Sequence, residues 1–312
     1  MKSMPTLSII MPAYKAGKTI AASIRSVQAQ SLQNWELIIV DDGSPDDTAQ
    51  IALELAKADD RICVAQRVNS GPSIARNRGV DLARADLIAF LDADDFWAPE
   101  RLEGMVKLFQ SDSTIGVAFS RTRFIDADTL KPGTLTPFIP HLHADDLMAE
   151  NAVCSTSNIV CRKSLFLETG GFTPGLNYAE DQDWLLRVAL ESPLKIIGVD
   201  AEWFFYRSSP ESQSADLDAM RDGWLQMVGA ACAKFPEIAA PAARRAYGPC
   251  MRQLARRAVR MGDAAAGFRY ILSALSHDPF LIFRQPIRTG LTLVGVGLAF
   301  IPNPKLKELV AR

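Results

Sequence analysis

Three carboxylates within four positions, Asp92, Asp94 and Asp95, close the apolar run Leu87–Leu91. At the end of an extended strand Asp92 and Asp94 point to one side, because side chains alternate with a period of two. Paired carboxylates of this kind suit a hard divalent cation, Mg2+ or Mn2+, which shares its oxygen ligands between one or two acids and substrate phosphates. Such a cation would neutralise a departing diphosphate as a Lewis acid. Asp95 also has a plainer use, as a cap of the helix expected from Pro99 onward.

Three further constellations accompany it. Asp41-Asp42-Gly43-Ser44-Pro45-Asp46-Asp47 follows the run Glu36–Val40. One of its carboxylates could accept a hydrogen bond from a nucleobase, while Ser44 or Asp46 caps the next helix. Asn69-Ser70-Gly71-Pro72, with Arg76 beyond it, opens a helix whose N-terminus favours anions. Arg76 could reach a phosphate or a carboxylate of the acidic cluster. Ala179-Glu180-Asp181-Gln182-Asp183-Trp184 offers an Asp able to take a proton from a hydroxyl. Acids in the first turn of a helix are equally explained by the helix dipole.

Positioning these groups requires a sheet. Short apolar runs at Leu7–Pro12, Glu36–Val40, Ile62–Ala65, Leu87–Leu91 and Val117–Ser120 alternate with helical patterns. This predicts an α/β fold with a mixed, mostly parallel sheet flanked by helices. Ligands in such sheets bind at the carboxyl ends of the strands, where the first two acidic clusters lie. Residues 126–157 read as loops with a short helix near Asp145. Ser157–Cys161 reads as a strand, Glu168–Phe172 as a turn and Asp181–Glu191 as a helix. Leu194–Val199 and Trp203–Tyr206 read as two closing strands.

From about residue 216 the pattern is all helical. A helical pair is expected around Gly262-Asp263. Leu291–Ile301 is an apolar run with basic flanks, too short to span a bilayer. It reads as a core helix or an interfacial one. The expected division is therefore 1–215 for the catalytic part and 216–312 for a helical extension that meets a membrane or a partner.

Charge divides the same way. Of 34 Lys and Arg and 36 Asp and Glu, fourteen basic and seven acidic residues lie from Asp216 onward, so the first part is net acidic and the second net basic. The overall net charge of -2 gives no reason to expect nucleic acid as a partner. Five cysteines without a CxxC pair suit reduced, buried thiols. With no signal-peptide apolar region at the N-terminus, a cytoplasmic catalytic part is expected, peripheral at the inner face of the membrane.

The order and spacing of the four constellations resemble the family 2 glycosyltransferases. The resemblance covers roughly residues 5–215 and includes Ser8–Tyr14, Asp41–Ser44, Gly71 with Ala75-Arg76-Asn77 and Gly79, Leu91–Asp95, Gly170-Gly171-Phe172, and Glu180-Asp181 with Trp184. It implies a GT-A fold and inverting transfer of a sugar from a nucleotide-sugar donor, uridine diphosphate being the commonest carrier. By that resemblance Pro12, Tyr14 and Asp42 would line the nucleobase site, and Arg76 would stand near the phosphates. Asp92 would approach ribose or metal and Asp94 would ligate the metal. Asp181 would be the catalytic base, with Glu180 and Trp184 in the acceptor region. The acceptor expected is a glycan, free or lipid-linked. Relatives often place a His two residues beyond Tyr206-Arg207; this chain has Ser209. A sugar nucleotidyltransferase and a non-catalytic scaffold of the same fold are the competing readings. A dehydrogenase is disfavoured, since no GxGxxG follows the first strand.

Overall fold

The structure, a computed structural model, describes residues 4–127, 129–176, 178–208 and 216–301. In chain order the elements of the first part are β1 (Leu7–Ala13), α1 (Ile20–Gln28), β2 (Trp35–Asp41), α2 (Thr48–Ala58), β3 (Ile62–Gln66) and α3 (Pro72–Leu82). They continue with β4 (Leu87–Phe90), β5 (Phe96–Trp97), α4 (Arg101–Ser111), β6 (Ile115–Asp126) and β7 (Pro132–Leu135). After α5 (Ala144–Ala149) come a 3-10 turn (Thr156–Asn158), β8 (Val160–Arg162), α6 (Lys163–Glu168), α7 (Glu180–Glu191) and β9 (Lys195–Ser208). The remainder is α8 (Leu217–Lys234), α9 (Pro236–Arg260), α10 (Ala264–His277), α11 (Leu281–Arg284) and α12 (Pro286–Ala299).

The sheet is mixed, with the order β3-β2-β1-β4-β8-β6-β9-β5 and β7 beside β6. Strands β3, β2, β1 and β4 are parallel to their neighbours in that half. The long β6–β9 ladder is also parallel, whereas β8 runs antiparallel to both β4 and β6. Leu7, Ile9, Met11, Leu37 and Ile39 are fully buried in the centre, as expected of strands covered on both faces. Helix α3 lies unusually close to β1. A Cβ added to Gly79 would stand 2.3 Å from Ile10 Cγ2, so only glycine admits that approach.

Several expectations are corrected here. The two closing strands are one, β9, whose pairing with β6 shifts register beside Ser120 and Arg121. The irregularity breaks the apolar pattern without ending the strand. The strand expected at Ser157 begins only at Val160, because Ser155 caps the 3-10 turn by accepting from the Ser157 N–H. The segment 126–157 contains a strand, β7, besides the short helix. Pro99 precedes its helix, which starts at Arg101.

Two compact units emerge, Met1–His143 with Val153–Ser208, and Ala144–Ala152 with Ser209–Arg312. Compared with a cut at 215/216, residues 144–152 move to the helical unit. There the Trp224 indole donates to the Met148 carbonyl at 2.8 Å and Arg252 pairs with Glu150 at 2.6 Å. The expected helical pair is α9 and α10, separated at Gly262 (φ 80°) and with Asp263 capping the Ala266 N–H.

Candidate active site

Helix α3 gathers the constellations. Ser73, Arg76 and Asn77 lie at i, i+3 and i+4, so they share one face of the helix. Ser73 donates to the Leu176 carbonyl at 3.0 Å. The Asn77 amide donates to the Phe172 carbonyl at 2.8 Å and accepts from the Phe172 N–H at 3.0 Å. Between them, buried Arg76 spans two acids, with Nη2 at 2.6 Å from Asp92 and Nη1 at 2.9 Å from Glu180. The strand end after β4, helix α3 and the N-terminus of α7 therefore meet through one guanidinium.

The charge balance around Arg76 is lopsided. Asp92, Glu180 and Asp181 all hold the guanidinium protonated. Burial raises the Glu180 carboxyl to about 7, against the pull of Arg76 and with the help of Asp181. Burial and the neighbouring Asp92 raise Asp94 to about 6, opposed by Arg207 and Arg76. Asp94 is nevertheless exposed to solvent. An open carboxylate among like charges is a place where a cation would be welcome. Asp92 and Asp95, in contrast, are engaged with the protein. Among the described residues no group of three or more His, Cys, Asp or Glu could hold a metal. The donor set fits a cation shared with ligand phosphates and not one caged by protein.

Asp95 is not a helix cap. It is buried, accepts from the Arg207 N–H at 3.0 Å, and burial with Asp94 and Asp92 drives its carboxyl well above the usual range. It pins β9 to the acidic turn. Of the two caps expected for α2, Asp46 accepts from the Thr48 N–H that opens the helix, at 3.3 Å, while Asp47 at the cap position makes no side-chain bond.

Asp42 is tied into the loop before α3. Its buried carboxylate accepts from the N–H groups of Ser70 (3.0 Å) and Gly71 (2.8 Å) and lies 3.3 Å from Arg67 Nε. Those bonds fasten the loop before α3 to the end of β2. The neighbouring Pro12 is half-buried at the end of β1, and Tyr14 is exposed just beyond it. The Lys15 N–H donates to Ser44 Oγ at 3.2 Å, holding this edge to the Asp41–Ser44 turn. Arg76 takes the second of its two expected uses, pairing with the acidic cluster. Asp181 is buried in the first turn of α7, where its carboxylate accepts from the Gln182 N–H at 2.7 Å.

Trp184 is placed otherwise than expected. It is fully buried in a cluster with Phe166 and Phe172, and its indole donates to Thr169 Oγ1 at 2.9 Å. It anchors α7 and cannot touch an acceptor. Ser209 lies outside the described residues.

Residues unread from the sequence complete the surroundings. Asp92 donates its N–H to Ser157 Oγ at 2.9 Å, and Ser155 Oγ stands 3.5 Å from Asp92 Oδ2. Asn158 beneath them accepts from the Ser120 N–H and from Arg101, and donates to the Ser120 carbonyl at 2.7 Å. Arg101 is fully buried, and desolvation lowers it to about 9. The only signal in the sequence was the polar run Ser155–Asn158 ahead of an apolar strand.

With this geometry in place, the sequence model of glycosyl transferase family 2 matches residues 8–170. The chain is 35% identical over 158 residues to the putative teichuronic acid biosynthesis glycosyltransferase TuaG of Bacillus subtilis, covering 50% of this chain and 60% of that protein. It is 29% identical over 199 residues to chondroitin synthase of Escherichia coli, covering 63% and 28% respectively. The chain thus spans less than two thirds of either relative. In fold it is similar to S. aureus TarS 1-349 in complex with UDP-GlcNAc (TM-score 0.58, 16% identity, 90% of this chain and 92% of that one). It is also similar to the mannosyltransferase PcManGT of Pyrobaculum calidifontis in complex with GDP-Man and Mn2+ (TM-score 0.60, 17% identity, 95% and 87%). The architecture is GT-A-like.

Proposed function

Because the chain belongs to glycosyl transferase family 2, we propose that it transfers a sugar from a nucleoside diphosphate sugar to an acceptor hydroxyl, inverting the anomeric carbon. The observation that carries this reading is the Arg76 bridge, which joins Asp92 at the carboxyl edge of the sheet to Glu180 at the start of α7 and lies within electrostatic reach of both Asp94 and Asp181. Asp94 would hold a divalent cation together with the donor diphosphate, and the cation would supply charge neutralisation to the leaving group.

The chain's own groups do the rest. Asp92, held by Arg76 and Ser157, presents its remaining oxygen toward the donor. Asp181 removes the acceptor proton as the hydroxyl attacks. Glu180, fixed by Arg76, orients the acceptor side. Pro12, Tyr14 and Asp42 line the base site, and Asp42 also holds the Ser70-Gly71 loop before α3. Uridine diphosphate is the assigned carrier, in keeping with the UDP-GlcNAc held by TarS 1-349. The assigned acceptor is a growing surface glycan on a lipid carrier; among the relatives, TuaG is described as a putative glycosyltransferase of teichuronic acid biosynthesis. The chain would then work from the cytoplasmic side, peripheral at the inner face of the membrane.

The test is release of nucleoside diphosphate from a panel of nucleotide-sugars, with and without glycan acceptors. Wild type should release it and Asp181→Asn should not. Pyrophosphate release from a nucleoside triphosphate and a sugar phosphate would favour a nucleotidyltransferase instead. Inactivity across the whole panel would favour a scaffold.

A further inference from the structure

Helix α12 is turned inside out. Its inward face carries Thr289, Thr292 and Val296, all buried. Its outward face carries Ile287 (77% exposed), Leu291 (65%) and Val294 (59%), spaced i, i+4 and i+7. A helix serving only its own core shows the opposite arrangement. The two buried hydroxyls are not stray, since Thr292 donates to the Arg288 carbonyl at 2.8 Å and Thr289 to the Leu281 carbonyl at 3.4 Å. Just before α12, Phe280 and Phe283 are 69% and 78% exposed. The outward apolar stripe therefore runs on from α11, and no polar residue of α12 interrupts it.

Charge identifies what covers this face. Residues 279–301 contain Arg284 and Arg288 and no acid. Arg284 pairs with Asp278 and Arg288 with Glu150, yet each remains about half exposed. A second copy docked on the same face would set arginine against arginine. An anionic lipid surface would meet both the apolar stripe and the one-signed charge. Spanning is excluded for the described part, since no helix there is long and apolar enough. Fourteen residues of α12 make a rod of about 21 Å.

We infer that α11 and α12 form the face by which the protein lies on an anionic bilayer, with Phe283, Ile287, Leu291 and Val294 in the acyl boundary and Arg284 and Arg288 at the phosphates. This deepens the peripheral placement proposed above and does not depend on the sugar chemistry.

The experiment is co-sedimentation of the full chain with vesicles of phosphatidylcholine alone or mixed with anionic phosphatidylglycerol, to which each interfacial base adds attraction. Wild type should bind the anionic vesicles and lose binding as salt rises. Leu291→Glu with Val294→Glu should weaken binding at least tenfold, roughly, by placing charge at the apolar boundary. Arg284→Gln with Arg288→Gln should weaken it roughly thirtyfold and flatten the salt dependence. Leu291 and Val294 lie at the surface and make no ion pair, so the Glu pair should melt with wild type; the Arg pair gives up the bonds to Asp278 and Glu150 and is compared at a temperature where it is folded. The donor-induced stabilisation of both pairs should match wild type, which separates this inference from the sugar-transfer reading. No binding by wild type, or binding unchanged in the Glu pair, overturns the inference. So does a wild-type dimer that the Glu pair converts to monomer, for then the face belongs to a second copy.

Discussion

Arg76 places one cation among more carboxylates than it can satisfy. Its removal would leave Asp92 and Glu180 buried or half-buried without a counter-charge. Arg76→Ala should lower stability by about 3–5 kcal/mol in chemical denaturation, the usual cost of orphaning a buried charge. The same crowding gives a pH signature. Glu180 titrates near 7 in the folded protein and near 4.5 without it. The folded state therefore binds more protons in that window, and stability falls as pH rises through it. Wild type should lose melting temperature between pH 5 and 8 more steeply than Glu180→Gln; equal slopes would remove Glu180 as the source. Asp181→Asn should keep donor-induced stabilisation and lose transfer. Transfer near the wild-type rate would remove Asp181 from the role of base.

At the scale of elements, the site depends on how α3, the acidic turn and the Ser155–Asn158 turn are fastened. Asn158 serves several buried groups at once, including Ser120 and Arg101. Asn158→Ala should cost about 2–4 kcal/mol, because several partners lose their bonds together. Donor-induced stabilisation should fall with it, since Ser157 loses its footing under Asp92. Gly79→Ala should cost about 1–3 kcal/mol by forcing α3 off Ile10.

The same elements show what the sequence made legible. The parallel half of the sheet was readable because β1, β2 and β4 are mostly apolar runs followed by polar turns. The position of Asp92 at a strand end followed directly. Trp184 was misplaced because spacing along α7 does not say which face meets the core. The bonds of Asp42 to Ser70 and Gly71 were not legible because they join segments 28 residues apart or more. The role of Asn158 is likewise a long-range polar network, which leaves no periodic trace. β9 was split because a register shift looks like an end when only hydrophobicity is followed.

At the scale of the molecule, charge and architecture divide together. The sheet-bearing unit holds the acidic site, and the helical unit holds the basic excess and the outward apolar stripe of α12. A donor that binds only the folded form stabilises it by mass action, about 2.7 kcal/mol at a hundredfold excess over Kd. For a chain of this size that corresponds to roughly 4 °C in melting temperature. The most direct measurement is a thermal-shift panel of nucleotide-sugars with Mn2+ or Mg2+ on wild type and Asp94→Ala. The account predicts that one nucleoside diphosphate sugar raises the melting temperature of wild type only when the cation is present, and that Asp94→Ala loses this rise. An equal rise in Asp94→Ala, or no rise in wild type with any donor and cation, would contradict it.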